Sequence, residues 1–274
     1  MARKRILFVS SEMNPFLQTS SIAEIASALP QAVQQKDNEI RIFVPRFGCI
    51  NERRNRLHEV VRLSGINITI DDNDNPLTIK VASLPSAKTQ VYFLDNEDYF
   101  HRKTVYTDEN GGFHPDNDER TIFFCKGALE TVKKLGWIPD IIHCQGWMTS
   151  LIPLYLKTIY RDEPVFKHTK VVYSIFENHF QQTLGNDFVR KASLNNIDQQ
   201  TMSCFEEADC PSLYIGASAH ADAVVQYGGN IDPEVEKHIQ QLGKKKPVII
   251  HDQAASEFVE LYEDLYDSLL QRKN

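Results

Sequence analysis

Short apolar runs alternate with a helical pattern at the start of the chain, and together they predict a parallel sheet. Residues 6–9 form an apolar run that leads into a loop rich in Ser, Asn and Pro. Apolar residues then recur at three- and four-residue spacing from Ile22 to Val33, as on one face of a helix. A second apolar run at 40–44 ends at Pro45. The order strand, loop, helix, strand is typical of a doubly wound, Rossmann-like α/β fold with a mainly parallel sheet.

Residues 60–94 follow a different pattern, in which apolar and polar positions alternate. Residues 66–70 and 77–84 are two such segments, and the polar cluster at 71–76 separates them. A third segment, residues 91–94, closes the region. Because a period of two is typical of half-buried strands, we predict an antiparallel β extension on the edge of the sheet.

The rest of the chain contains further strand and helix patterns. The predicted strands are residues 140–143, 170–175, 212–215 and 248–250. The predicted helices are residues 119–134, 148–160, 218–227 and 255–270. Residues 178–200 are polar, and their pattern predicts neither a helix nor a strand. Residues 228–246, which end in three lysines, are predicted to be a solvated loop.

The domain organisation follows from the absence of internal repeats and of a low-complexity linker in the sequence. We predict one domain over residues 1–250 and a C-terminal helix within residues 251–274 that packs back onto it. The apolar stripe expected to dock this helix consists of Phe258, Leu261, Tyr262, Leu265 and Leu269. A helix of this length is marginal alone in water, so its stability must come from packing.

The composition is that of an ordinary globular protein, with 42% hydrophobic and 24% charged residues. The formal net charge of -7 gives no electrostatic reason to expect nucleic acid or an anionic membrane as a partner. The five cysteines are odd in number and lack C-x-x-C spacing, which disfavours a disulfide framework or a zinc site. With no apolar run of the roughly 20 residues that a membrane helix needs, we expect a cytoplasmic protein.

Four blocks of sequence occur in a fixed order between residue 5 and about residue 180. The blocks are residues 6–16 with 28–30, residues 44–48, residues 91–100 with 115–120, and residues 135–144 with Trp147, Pro153, Tyr155 and Leu156. Together they resemble the N-terminal half of bacterial glycogen and starch synthases. The resemblance thins toward residue 218.

The resemblance implies a glycosyltransferase of the GT-B fold with two Rossmann-like lobes. In this family the N-terminal lobe shapes the glucan-acceptor side, and the C-terminal lobe binds ADP-glucose. Glucose is transferred with retention of configuration to extend an α-1,4-glucan, and neither a metal nor another cofactor is required. The ligands implied for this chain are an α-glucan or ADP-glucose.

The loop after the first strand departs from the family pattern. The family reads Lys-x-Gly-Gly there, where the lysine offsets phosphate charge and the glycines let helix amides approach the ligand. Here the same positions are Gln18, Thr19, Ser20 and Ser21. The positive charge is absent, and Ser20 and Ser21 are expected to act as helix N-caps. Binding of a weaker anion by a serine hydroxyl is the alternative.

A second departure lies at residues 143–149, where the family reads His-x-His-Asp-Trp-His-Thr. His143, Trp147 and Thr149 match this pattern, whereas Gln145 replaces the second histidine. The set of hydrogen-bonding groups that lines the family's cleft is therefore reduced. Trp147 and Thr149 are interpreted as structural residues.

A third departure follows the next strand, where the family's histidine beside the transferred sugar is replaced by Phe176. His179 lies three residues later, which is roughly 10 Å along an extended chain, so we interpret it as a loop histidine. No residue is assigned a catalytic role. The vestigial cleft positions are Gln18, Ser20, Ser21, His143, Gln145, Trp147 and Phe176.

The fourth departure concerns length, because no counterpart of the family's donor lobe is recognised after residue 230. Residues 262–266 resemble the family's last helix, which packs back on the N-terminal lobe. The chain is therefore expected to be an acceptor-side lobe with its closing helix, catalytically impaired on its own.

These departures leave three functional hypotheses. The first is a glucan-related binding or regulatory protein, whose partner could be a full-length synthase. The second is a glucan synthase that acts with a separately encoded donor-lobe protein. The third, another nucleotide-binding activity, ranks last because the Gly-x-Gly-x-x-Gly fingerprint is absent.

Overall fold

The computed structural model describes residues 3–84, 89–177, 180–251 and 258–271. Its strands are β1 (Arg5–Ser10), β2 (Glu39–Pro45), β3 (His58–Glu59), β4 (Ile66–Ile70), β5 (Asn73–Ser83), β6 (Gln90–Asp95), β7 (Ile141–Gln145), β8 (Lys170–Ile175), β9 (Ala223–Tyr227) and β10 (Val248–His251). Its α-helices are α1 (Ile22–Gln34), α2 (Glu52–Asn55), α3 (Glu97–Phe100), α4 (Asn117–Leu135), α5 (Leu151–Lys157), α6 (Phe188–Ala192), α7 (Gln199–Met202), α8 (Cys210–His220), α9 (Pro233–Leu242) and α10 (Phe258–Gln271). Two short 3-10 helices lie at Trp147–Thr149 and Ser203–Phe205.

One sheet joins these strands in the order β10-β9-β8-β7-β1-β2-β6-β5-β3, and β4 pairs with β5. Neighbours from β10 to β6 run parallel, whereas β5 runs antiparallel to β3, β4 and β6. The predicted α/β fold, with a mainly parallel sheet and an antiparallel extension, is confirmed. One boundary was wrong, because residues 91–94 belong to β6, which pairs parallel with β2. Like β1, β7, β8 and β9, β6 is buried along nearly its whole length.

Helices cover both faces of the sheet, as alternate residues of β7 show. His143 contacts Tyr266 of α10, while the next residue, Cys144, lies beside Cys125 of α4. Since neighbouring side chains of a strand point to opposite faces, α10 and α4 lie on opposite sides of the sheet. The contacts of α10 with α1, and of α4 with α5, complete the two layers. None of the helices in the described part of the chain is long and apolar enough to cross a bilayer.

Residues 212–227 contain the largest error of the sequence interpretation. Residues 212–215, predicted as a strand, belong to α8, and residues 218–227, predicted as a helix, contain β9. A capping box starts α8, in which the Asp209 carboxylate accepts from the Ser212 amide at 2.8 Å. Because α8 is packed between α5 and α9, it is apolar on most sides and lacks the 3.6-residue pattern of a surface helix.

Residues 228–246, predicted to be a solvated loop, contain α9. The last of the three lysines is also not solvated. The Nζ of Lys246 donates to the carbonyls of Ser218, Ala219 and Ala221 at 2.6–3.1 Å, at the C-terminal end of α8. Burial lowers the pKa of Lys246. Its contacts satisfy carbonyls that have no partner within the helix.

The terminal helix α10 packs on the body of the protein, but through a partly different set of side chains than predicted. Its buried residues are Tyr262, Leu265, Tyr266 and Leu269. Leu261 was predicted to dock but is 40% exposed. Tyr266 instead continues the face on which the other buried residues lie, one helical turn after Tyr262. The predicted contact of Phe258 lies outside the residues whose side chains the structure describes.

Polar contacts hold α10 against the edge of the sheet where β1 begins. The Nζ of Lys4 lies 2.7 Å from the carboxylates of both Glu263 and Asp267. The side-chain amide of Asn38 donates to Glu263 at 2.6 Å. Lys4 is 4% exposed, so this ion pair is largely shielded from water.

Candidate functional site

The candidate site lies where the carboxyl ends of β1, β7 and β8 meet at one edge of the sheet. β1 has β2 on one side and β7 on the other, so the strand order reverses there. In doubly wound sheets the crevice at this reversal is the usual ligand position. The loop at 11–21 follows β1, the 3-10 helix Trp147–Thr149 follows β7, and Phe176 follows β8.

Glu12 occupies the centre of the loop after β1. It is 1% exposed, and its carboxylate accepts hydrogen bonds from the amides and hydroxyls of Thr19 and Ser20. The Thr19 hydroxyl lies at 2.8 Å and the Ser20 amide at 3.1 Å. Four donors of the loop therefore point at the chain's own carboxylate. Sequence reasoning missed Glu12, although its position directly after a buried strand was a signal.

Of the loop positions singled out from the sequence, Ser20 contributes to this arrangement, while Gln18 and Ser21 are exposed. The Oγ of Ser20 accepts from the amide of Ile22 at 3.2 Å and so caps α1. Ser21, expected to be a second cap, makes no capping hydrogen bond because its backbone is already helical. Gln18 donates to the Glu24 carboxylate at 3.3 Å. The loop thus presents no cation to the cleft.

Replacing Glu12 by glutamine is expected to destabilise this loop. The new side chain would turn an NH2 group toward donors that now meet an oxygen, so buried hydrogen bonds are lost. We expect the free energy of unfolding to fall by about 1–3 kcal/mol, measured by denaturant titration. Glu24→Gln, on the exposed face of α1, is the control and should change it by less than about 0.5 kcal/mol. Equal effects of the two substitutions would contradict a special role for Glu12.

His143 lies inside the protein rather than on the open cleft. It is fully buried in β7, and its Nδ1 lies 2.7 Å from the hydroxyl of Tyr266 on α10. Its Nε2 lies 2.7 Å from the hydroxyl of Ser174 on β8. Burial lowers the pKa of His143 to about 3, so the imidazole is neutral at physiological pH. A histidine in this position joins α10 to the sheet and does not face a ligand.

Gln145 lies at the carboxyl end of β7, in register with Ser10 and Ser174. It is fully buried, and neither its oxygen nor its nitrogen has a hydrogen-bond partner within the described residues. Gly146 follows with φ +80°, and a Cβ there would lie 2.7 Å from the Cδ1 of Ile22. An aspartate here would strain the left-handed backbone and require the Ile22 side chain to shift, whereas glycine fits.

Trp147 belongs to an aromatic cluster that the sequence did not reveal. Its ring centroid lies 4.9 Å from that of Tyr106 and 4.8 Å from that of Phe180. Phe113 stacks on Phe180 at 5.0 Å. The three partners come from polar loops without periodicity, so no pattern in the sequence could have placed them together.

Phe176 also packs against other rings. It is 1% exposed and stacks on Tyr227 at 4.6 Å, with 4° between the ring planes. The hydroxyl of Tyr227 in turn forms a hydrogen bond with that of Tyr262, which connects the end of β9 to α10. His179, interpreted as a loop histidine, lies outside the described residues.

A cleft of about 430 Å³ opens beyond the ends of β8 and β9. Its lining combines aromatic rings with amide and carboxylate groups, and includes Phe176, Phe180, Gln181, Asp209, Tyr214, Asn230 and Asp232. The two aspartates cap helices, since Asp209 accepts from the amide of Ser212 and Asp232 from that of Glu234. Rings next to acceptors that carry negative charge suit a neutral polar ligand better than a phosphate.

Arg120 also does not provide a cation that could offset the charge of a phosphate in the cleft. Its guanidinium is fully buried and lies over the rings of Phe47 and Phe100, at 5.4 and 5.5 Å. Burial lowers its pKa to about 10. Within the ranges that the structure describes, no group of three or more His, Cys, Asp or Glu side chains is arranged to hold a metal ion.

Comparisons with known proteins agree with this architecture. The model of the starch synthase catalytic domain family matches residues 5–243. The glycogen synthase of Chlorobium limicola is 40% identical over 225 residues, which cover 81% of this chain and 45% of that protein. The glycogen synthase of Chlorobaculum tepidum is 41% identical over 228 residues, which cover 82% of this chain and 46% of that protein. The chain therefore spans less than half the length of these curated relatives.

A solved structure shares the fold. The catalytic domain of starch synthase IV from Arabidopsis thaliana, bound to ADP and acarbose, superposes with a TM-score of 0.74. The two sequences are 17% identical, and the match covers 91% of this chain and 52% of the other. The family model spans most of the chain, and these two relatives are 40% and 41% identical over four fifths of it. The chain belongs to the starch synthase catalytic domain family.

Proposed function

We propose that this chain is a glucan-related binding or regulatory protein of the cytoplasm that does not transfer glucose by itself. The observation that carries the proposal is the loop after β1, whose amides and hydroxyls bind Glu12. Transfer from a nucleotide sugar requires groups that stabilise the departing diphosphate. In this loop Glu12 already occupies the hydrogen-bond donors, and no positively charged side chain is present to bind a diphosphate instead.

The other vestigial positions support the same proposal. His143 is buried against α10, and Phe176 places an apolar ring at the end of β8. Neither can hydrogen-bond to a sugar or a phosphate in the cleft. General acid, base or charge-stabilising chemistry therefore has no group at the positions where the family pattern places it.

We propose that the cleft binds an α-glucan more tightly than ADP-glucose. Sugar rings pack on aromatic faces and donate hydroxyls to carboxylates and amides, all of which the cleft beyond β8 and β9 provides. Asp209 and Asp232 in the cleft would repel a diphosphate. Calorimetry with maltooligosaccharides and, separately, with ADP-glucose tests this order, and tighter binding of ADP-glucose would contradict it.

The purified chain is expected to transfer no glucose from radiolabelled ADP-glucose to glycogen. Without groups that hold the donor, most of the rate enhancement that positioning provides is missing. A glycogen synthase from a relative, such as that of Chlorobium limicola, serves as the positive control. Turnover by the chain that is lost in Gln18→Ala or Gln145→Ala would place a working active site at this edge of the sheet and overturn the proposal.

A second candidate function is a glucan synthase that works with a separate donor-lobe protein. It is favoured by the match of residues 5–243 to the starch synthase catalytic domain family. Mixing the chain with the separately produced C-terminal half of the Chlorobium limicola enzyme tests it. Transfer by the mixture, and by neither component alone, would favour this candidate over the binding protein.

A further inference from the structure

A cationic patch covers α2 and the residues that follow it. The patch comprises Arg53, Arg54, Arg56, His58 and Arg62, all of them exposed. Within the described residues, none of these four arginines forms an ion pair, whereas Glu52 on the same helix is paired with Arg46 and Lys80. These four guanidinium groups lie within ten residues that contain one carboxylate, Glu59, so the stretch is locally positive although the net charge of the chain is -7.

The patch borders a groove of about 720 Å³. Arg54, Arg56 and His58 line one side of the groove. Pro15, which is exposed, and Phe16, which is half-buried, also line it, and the Phe16 ring is fixed edge-on against that of Phe93 at 4.9 Å. A cationic rim beside an apolar wall can bind a ligand that carries both negative charge and apolar surface.

Arg56 both ends α2 and lines the groove. This residue ends α2 in the left-handed region, with φ 54° and ψ 41°. Glycine or asparagine is usual at such a position, because a larger side chain strains the backbone there. An arginine is present instead, and its side chain lines the groove.

We propose that this groove binds an acidic segment of a partner protein that carries a large apolar side chain. Carboxylates of the segment pair with Arg54 and Arg56, and the apolar side chain packs against Pro15 and Phe16. A phosphate polymer is the less favoured occupant, because it has no apolar side chain for this wall.

The test measures fluorescence anisotropy of a fluorescein-labelled peptide that alternates glutamate with leucine. Charge reversal in Arg54→Glu with Arg56→Glu is expected to weaken binding by about tenfold or more, since each exposed pair changes from attraction to repulsion. Lys244→Glu with Lys245→Glu makes the same change of charge on exposed residues outside the patch and should leave the affinity within about twofold. Binding by the unaltered chain should weaken as salt is added.

The apolar requirement is tested with a second peptide, in which serine replaces leucine and the charge is unchanged. It should bind about tenfold more weakly than the first, because the apolar wall then gains no contact. If charge reversal lowers the melting temperature, Arg53→Glu with Arg54→Glu replaces it, since both residues are exposed on α2. Equal affinity of the arginine variants and the unaltered chain would overturn the proposal. Tighter binding of inorganic polyphosphate than of the leucine peptide would overturn it as well.

Discussion

Deleting residues 255–274 is expected to lower the melting temperature by about 10 °C or more and to make the protein aggregate. The deletion removes Tyr262, Leu265, Tyr266 and Leu269, all of which are buried between α10 and the sheet. It also leaves the imidazole of His143 and the ammonium of Lys4 without their partners on α10. Unpaired buried polar groups add to the loss of apolar packing.

Point substitutions separate the packing of α10 from the general effects of a truncation. Leu265→Ala or Leu269→Ala should each lower the free energy of unfolding by about 2–5 kcal/mol, because each creates a cavity under the helix. Leu261→Ala is the matched control on the same helix. Since Leu261 is 40% exposed, its substitution should change the free energy by less than about 1 kcal/mol. A truncated chain that remains monomeric with an unchanged melting temperature would show that α10 contributes nothing to stability.

The elements predicted correctly from the sequence are those whose pattern of apolar and polar residues matches the way they are buried in the fold. α1 has an apolar face toward the sheet and a polar face toward water, and its predicted start at Ile22 agrees with the structure. The apolar runs at β1, β2, β7 and β8 identified the inner strands because these are buried on both faces. The same reasoning failed for α8, since a helix packed on most sides has no polar face and therefore shows no 3.6-residue period in its sequence.

The candidate site was harder to predict because its geometry depends on contacts between distant residues. The loop positions 18–21 were found through the family pattern, but Glu12, the carboxylate that binds Thr19 and Ser20, was not. His143 was expected at the cleft, and contact with Tyr266, more than a hundred residues later, places it under α10. Spacing along the sequence carries no information about a pairing of that kind.

Lowering the pH is expected to reduce the free energy of unfolding substantially, because His143 must stay neutral in the folded protein. Burial lowers its pKa from 6.5 to about 3, whereas the unfolded chain protonates this side chain below its usual pKa. The unfolded state therefore binds more protons than the folded state between these two values. His143 contributes its full stability above pH 6.5, and that contribution is lost progressively as the pH falls toward 3.

The expected loss is about 1.4 kcal/mol per pH unit, or about 3 kcal/mol between about pH 7 and about pH 4. Denaturant unfolding over this range measures it. Because carboxylates and other histidines also titrate, the informative quantity is the difference in slope between the unaltered chain and His143→Gln. That variant should be less stable at neutral pH and should lose less stability on acidification. His168→Gln, at an exposed position, is the control and should keep the slope of the unaltered chain.

Protonation of His143 should detach α10 before it destabilises the rest of the fold. A protonated His143 has two N–H donors and a charge in a site without a carboxylate among its hydrogen-bond partners, which are the hydroxyls of Tyr266 and Ser174. Because removing α10 would admit water to this charge, acid should favour detachment of the helix. Hydrogen exchange of the amides of α10 should therefore accelerate as the pH falls, after correction for the intrinsic rate, while exchange in β1 stays slow. Uniform acceleration in both elements would mean that acid unfolds the protein globally, and that His143 does not act through α10.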